Sequence, residues 1–380
     1  MRVDVVSSLG EVPAAAWNAL AGSSDPFLRH EFLYGLERHR CLDDHGWYPQ
    51  HLLAHDGERL VGALPLYARD NSQGEFVFDW SWAEAWQRAG GRYYPKLVTA
   101  VPFTPVAGRR LLLDETAATA AAIAQALIAG ARALAVQIDA SSWHCLFPVD
   151  AQLPLLEGED LLLREGCQYH WYNAGYADFD AFLASLSSKR RKEIRRERRE
   201  IADSGLHIEL LEGAAITPAH WRIFHRFYRD TFARKWGEPR LTLAFMQSLS
   251  ETLPEAPVLL LARDGEEYVA GAFALRGGDT LYGRHWGCTR YVRHLHFELC
   301  YYRCIDYAIA HGLAHFDAGA QGEHKVPRGF MPVRTWSVHW LRDPGFRRAV
   351  ADFLRRETLA VDAYVEDVAA HTAYPRGARP

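Results

Sequence analysis

The chain has 380 residues, more than one hydrophobic core usually organises, and at roughly 150 residues per domain two domains are expected. Hydrophobic residues make up 49% and aromatics 12%, with 12 tryptophans, which excludes a disordered chain. A formal net charge of −4 gives no global case for binding DNA. The opening residues, MRVDVVSSLGEVP, lack the apolar core of a signal peptide. The alanine-rich stretch 116–131, broken by Gln125, is too weak and short for a membrane span. Cys41, Cys145, Cys167, Cys288, Cys300 and Cys304 form no C-x-x-C pair and read as reduced thiols. A cytoplasmic protein without integral membrane contact is expected.

The chain then reads twice. "LLAHDGERLVGALPL" (52–66) and "LLARDGEEYVAGAFAL" (260–275) are both strand, Asp-Gly turn, strand, which predicts two matching hairpins. In the first half a helix at about 115–133 leads to "LAVQIDASSWHCLF" (134–147). In the second, "TLYGRHWGC" (280–288) leads to a helix near 298–311, with Leu299, Tyr302, Ile305 and Ile309 as its stripe and Gly312 as its C-cap. Each half is therefore expected to be helix, antiparallel strands, then a strand–helix–strand crossover. Domains are expected at 1–150 and 165–345, the second carrying the active cleft, with a packing helix and tail at 346–380.

Between the halves, "SKRRKEIRRERRE" (188–200) holds eight basic and three acidic residues on a helix whose apolar stripe continues through Ile194 and Ile201. It reads as a solvated face or as an electrostatic landing site for a phosphate-rich ligand.

Two antiparallel sheets, each followed by a crossover, resemble the double fold of the Fem-like acyltransferases, in particular a peptidoglycan biosynthesis and recognition subgroup. The resemblance rests on "DPFLRHEFLYGLE" (25–37), "FDWSWAEAW" (78–86), "YYPKLVTAVPFTPVAGRRLL" (93–112), "SSWHCLF" (141–147) and "FDAGAQGEHKVPRGFMPVRTWSVHW" (316–340). It covers nearly the whole chain. It implies an α/β (α+β) fold of tandem duplicated GNAT-like domains, the acyl-CoA N-acyltransferase fold. It also implies an N-acyltransferase that moves an acyl or aminoacyl group from an activated donor to an amine acceptor. Acetyl-CoA-dependent members hold the pyrophosphate with a Q/R-x-x-G-x-G/A loop. Here "RHWGCTRYVRHLHFE" (284–298) has one glycine, and Arg290 and Arg293 stand as substitute cations. The donor is thus expected to be acetyl-CoA or another acyl-CoA, or an aminoacyl-tRNA.

Acyl transfer to an amine needs a base, donors for an oxyanion and a proton source. The segment "FDAGAQGEHKVPRGF" (316–330) offers them among Gly319, Gly322 and Gly329, which let the backbone bend tightly. His324 is the expected base and Glu323 the second choice. Lys325 and Arg328 are expected to hold a carboxylate or phosphate, with Asp317 and Gln321 beside them. Arg284 and His285, at the end of a strand, are expected to line the same cleft. His294, His296 and Glu298 alternate as metal ligands can, but a helix starting near Phe297 breaks the alternation. No metal is expected, a metal-dependent hydrolase is the third reading, and His296 and Glu298 are expected to face substrate. Trp82 and Trp86, in an aromatic cluster with Trp80, Tyr93 and Tyr94, are core or an acceptor platform. Ser142 and His144 lack the elbow of a serine hydrolase. The alternative to an enzyme is a non-catalytic module that binds a cell-wall or nucleotide-like ligand.

Overall fold

The structure, a computed structural model, describes residues 1–115, 119–234, 237–320 and 322–375. The chain divides into two compact units: Met1–Cys167 with Arg334–Ala363, and Gln168–Val333 with the tail from Tyr364.

In chain order the first half gives β1 (Arg2–Val6), α1 (Ala14–Ala21), α2 (His30–Arg38), β2 (Trp47–Pro49), β3 (His51–Asp56), β4 (Arg59–Leu64), β5 (Tyr67–Arg69), α3 (Trp80–Arg88), β6 (Lys96–Thr99), β7 (Leu112–Leu113), α4 (Ala120–Gln137), β8 (Ser142–Leu146) and β9 (Leu161–Tyr172). The second gives α5 (Phe179–Ser185), α6 (Ser188–Ala202), β10 (His207–Glu212), α7 (Pro218–Arg234), α8 (Leu243–Thr252), β11 (Pro257–Asp264), β12 (Glu267–Gly277), β13 (Thr280–Cys288), α9 (Leu295–Phe297), a π-helical turn (Glu298–Tyr302), α10 (Arg303–Ala310), β14 (His315–Asp317), a 3-10 turn (Glu323–Arg328), β15 (Met331–Leu341) and α11 (Pro344–Ala370).

Both expected hairpins form, β3–β4 and β11–β12, and each carries a register shift at the same place in the repeat, Ala54/His55 and Ala262/Arg263. Gly57 (φ 58°) and Gly265 (φ 56°) turn them, in the backbone region that glycine enters without a Cβ penalty. The first unit has one antiparallel sheet, β1-β3-β4-β7, and a second set of strands, β15-β8-β6-β5-β2, in which β6 and β8 run parallel. Ile123, Leu127, Ala131 and Leu134, at helical spacing, make α4 the core helix of that unit. By length and composition alone α4 could cross a membrane, but this stripe is buried against Leu52, Leu64, Leu97 and Trp143. In the second unit β10-β11-β12-β13-β14-β9 are antiparallel except for β13 beside β14.

The unit boundaries differ from the expected 165–345 and 346–380. Residues 334–341 of β15 pair with β8, and Phe346, Val350 and Leu354 of α11 pack on Trp82, Tyr93 and Leu341, so 334–363 belong to the first unit. Likewise His170, Trp171 and Tyr172 of β9 pair with β14 in the second. "YHWY" (169–172) and "VHWL" (338–341) are thus repeats, and each half of the chain gives its His-Trp strand to the other unit. The registers match as well, with Asp317 opposite His170 and His144 opposite His339.

Candidate active site

A cavity of about 300 Å³ is walled by Ala272–Ala274 of β12, Gly283–Trp286 of β13, His296, Cys300, Tyr301 and Cys304 of the crossover helix, and Ala318 and His324. Its shape follows from three local features. β13 pairs with β14 only over Thr280–Tyr282. The β12–β13 register shifts between Phe273 and Ala274, leaving Arg284 as the extra residue of a bulge, a device that re-aims side chains. The π-helical turn widens the crossover helix at Glu298–Tyr302, a distortion common at functional sites.

Four of the expected residues meet here: Arg284, His285, His296 and His324. His324 Nε2 lies 2.7 Å from the Tyr301 hydroxyl, and its ring neighbours Phe297 and His296. Burial, then the cations Lys325 and Arg328, lower its pKa, so the imidazole is neutral at pH 7. Burial holds the Tyr301 phenol protonated, well above the usual range. Burial, then Arg284 and Arg240, push His285 down to about 3. The buried Nε2 of His285 has no hydrogen-bond partner among the described residues. Burial lowers Arg284 to about 10, against the opposing pull of Asp317. The cavity wall thus combines neutral imidazoles, a cation and a buried nitrogen without a partner among the described residues, groups with hydrogen-bonding capacity left to use.

The other expected residues are placed elsewhere, for physical reasons. Glu323 is exposed and accepts a 2.7 Å bond from Tyr364, so its carboxylate does not line the cavity. Lys325 is buried and donates to the Gly319 carbonyl, while Asp317 accepts from the Gly319 amide at 2.8 Å; both pin the loop. Burial takes Lys325 down to about 8, opposed by Asp317. Arg328 is a tie within the second unit rather than a substrate clamp: it donates to Glu197 at 2.9 and 3.1 Å, to Tyr302 at 3.0 Å and to the His324 carbonyl at 2.7 Å. Glu298 is buried against Arg198 and Arg303. His294 faces Glu197 and Glu200, so the His294, His296 and Glu298 side chains do not converge, and no group of three metal-ligating side chains occurs among the described residues. Arg290 pairs with Asp264 and Arg293 with Glu200 at the surface. Trp82 is buried in the first unit with Tyr93, which is the core alternative, while Trp86 stacks on Phe346 and with it lines a separate cavity of about 340 Å³. Gln321 lies outside the described residues.

Sequence reasoning missed Tyr301, Cys300 and Cys304. Their signal was the helix stripe itself, since Phe297 and Tyr301 are one turn apart.

Duplicated sheets with bulged hairpins and crossover helices, with a cavity beside the splayed strand, define a tandem GNAT-like fold. A sequence profile of the FemAB-like family, described as peptidoglycan biosynthesis/recognition, matches residues 8–376, and the chain belongs to that family. Among solved structures it is similar to FemX, at 12% identity and a TM-score of 0.57 over 92% of this chain and 100% of that one. It is also similar to L-PGS from Bacillus licheniformis, at 11% identity and 0.52 over 87% and 98%. A third is the C-terminal domain of a putative lysylphosphatidylglycerol synthetase from Agrobacterium fabrum, at 10% and 0.54 over 92% and 97%. At these identities the likeness is one of fold. No curated protein sequence matches the chain.

Proposed function

We propose that this chain is a cytoplasmic N-acyltransferase of peptidoglycan metabolism that moves an acyl or aminoacyl group from an activated donor to an amine. The observation that carries the reading is the polar end of the cavity: a neutral His324 bonded to Tyr301, with Arg284 and the unsatisfied His285 nitrogen in the same wall. In this reading His324 takes the proton of the acceptor ammonium, and the freed amine attacks the donor carbonyl carbon. Negative charge gathering on the carbonyl oxygen is met by Arg284. The tetrahedral centre then expels a thiolate from an acyl-CoA, or a ribose oxygen from an aminoacyl-tRNA. The leaving group receives the proton from His324, directly or through Tyr301, so the base is regenerated, and the second proton on the attacking nitrogen is released to solvent as the amide forms. Family membership favours the aminoacyl donor and a peptidoglycan-precursor amine. Arg290 and Arg293 are half-exposed or more, and pairs so exposed are weak enough to yield to a phosphate.

The test offers purified protein aminoacyl-tRNA or acyl-CoA together with an amine-bearing peptidoglycan precursor, and mass spectrometry reads amide formation. Product is expected with one donor, and His324→Ala should lower turnover by about 10²- to 10⁴-fold with the fold retained. Donor binding without turnover of any pair would leave a recognition module instead.

A further inference from the structure

The crossover helix also walls a second cavity, of about 280 Å³, with a different set of residues. Its apolar side is Ile201, Leu206 and Ile208, and its charged side is Arg198, Arg199, Arg303 and Glu298. Glu298 is only 2% exposed. Its Oε1 accepts from Arg303 at 2.9 Å and from Arg198 at 3.2 Å, but its buried Oε2 has no hydrogen-bond partner among the described residues. An unpaired buried carboxylate oxygen carries a desolvation cost that a ligand donor would remove. Arg198 is already committed, since it also binds Asp306 at 2.7 Å. Arg303 uses only its Nε among the described residues, and the exposed Arg199 has no ion pair there.

Three guanidinium groups line the cavity with one carboxylate, so a further cation at Oε2 would be repelled. The fitting ligand gives an uncharged N–H to Oε2, lays an apolar body on the isoleucines and leucine, and turns an anion to Arg199 and Arg303. About 280 Å³ lies at the lower limit of small-molecule sites, roughly 300–1,000 Å³, which restricts the body to one ring system. We propose that this cavity is a nucleotide site, with the base edge at Glu298 and the phosphate at Arg199 and Arg303. A nucleotide combines a flat apolar face, neutral ring N–H or amino donors, and a fixed anion. The proposal concerns binding alone and stands apart from acyl transfer.

Calorimetry on the full chain tests it with AMP, adenosine, inorganic phosphate and coenzyme A. AMP should bind one to one, with adenosine and phosphate at least about tenfold weaker, the equivalent of one lost anchor of about 1.4 kcal/mol. Arg199→Glu and Glu298→Gln should each weaken AMP at least about tenfold, whereas His296→Ala, in the other cavity, should not. Arg199 is exposed, so its variant decides the matter if Glu298→Gln does not fold. Coenzyme A binding more tightly than AMP, with the same Arg199 dependence, would identify a nucleotide carried on a larger molecule. Equal binding would identify the free nucleotide. Absence of AMP binding at millimolar concentration, or binding indifferent to Arg199→Glu, overturns the proposal.

Discussion

Partial burial of a ring that is still open to solvent, together with two neighbouring cations, lowers the pKa of His324. Its pKa in the folded chain lies below the ordinary 6.5, first through burial and then through Lys325 and Arg328. A histidine lowered in this way favours the folded state above pH 6.5, and that contribution is lost as pH falls through the lowered value. The base is active when neutral, so the acid limb of a kcat/KM profile is expected below pH 6.5, and a limb above it would remove His324 as the base. Gly322 gives a sharper test. Its φ is 116°, and a Cβ there would sit 2.3 Å from His324 Cε1. Gly322→Ala should therefore push the imidazole off Tyr301 and cut turnover by about 10²-fold or more. The stability loss should be about 1 kcal/mol, from the unfavourable backbone. Equal activity of the variant and the parent would show that the ring is not held for catalysis. The place of His324 on the cavity wall was legible because the glycine-rich loop that carries it follows directly from a strand of the crossover. Glu323 was misjudged because a short 3-10 turn sends adjacent side chains in different directions, His324 to Tyr301 and Glu323 to Tyr364.

The helix α6 looked like a charged surface, and in part it is. Lys189, Lys192, Arg195, Arg196 and Arg199 are exposed. Glu197 is not: it lies between Ile194 and Ile201 in the apolar stripe, and its spacing of three and four residues placed it there in the sequence. It accepts two bonds from Arg328, which in turn holds the His324 carbonyl, so the helix braces the loop that carries His324. Glu197→Ala leaves a buried guanidinium unpaired and should cost about 3–5 kcal/mol in denaturant unfolding. A loss under about 1 kcal/mol would mean that the pair is solvated. The exposed face can be tested separately. If it receives the phosphates of an RNA donor, reversing Lys189, Lys192 and Arg196 should weaken donor binding. It should also flatten the salt dependence, by a slope of about 0.7–0.9 for each phosphate no longer neutralised. Binding unchanged at low salt would return the face to plain solvation. The π-helical turn had no comparable signal, because a one-residue widening leaves the apolar spacing of Leu299, Tyr302 and Ile305 almost intact.

At the scale of the whole chain, the parts legible in the sequence are those closed by local pairing. The Asp-Gly hairpins and crossover helices follow from turn residues and periodicity over a few tens of residues. The reciprocal strands do not, since His144 and His339 pair across 195 residues, and no periodicity reports a partner at that distance. Only the repeated His-Trp pair in "YHWY" and "VHWL" marked them. The exchange has a consequence for folding. In the first unit β8 is buried along its length, with Trp143 and Cys145 fully covered, and one of its two neighbours is β15. A fragment of residues 1–167 keeps α4 and the β3–β4 hairpin but loses 334–341, which leaves the edge of β8 unpaired and Trp143 without Trp340 opposite it. Such an edge is a template for association, and long-range closure comes late in folding because its loop entropy must be met first. Residues 1–167 alone are therefore expected to self-associate and to lack near-ultraviolet circular dichroism. Co-expression with residues 168–380 should yield a soluble complex that unfolds cooperatively. A monomeric 1–167 fragment with its own sharp unfolding transition would show that the donated strand is dispensable to the first unit.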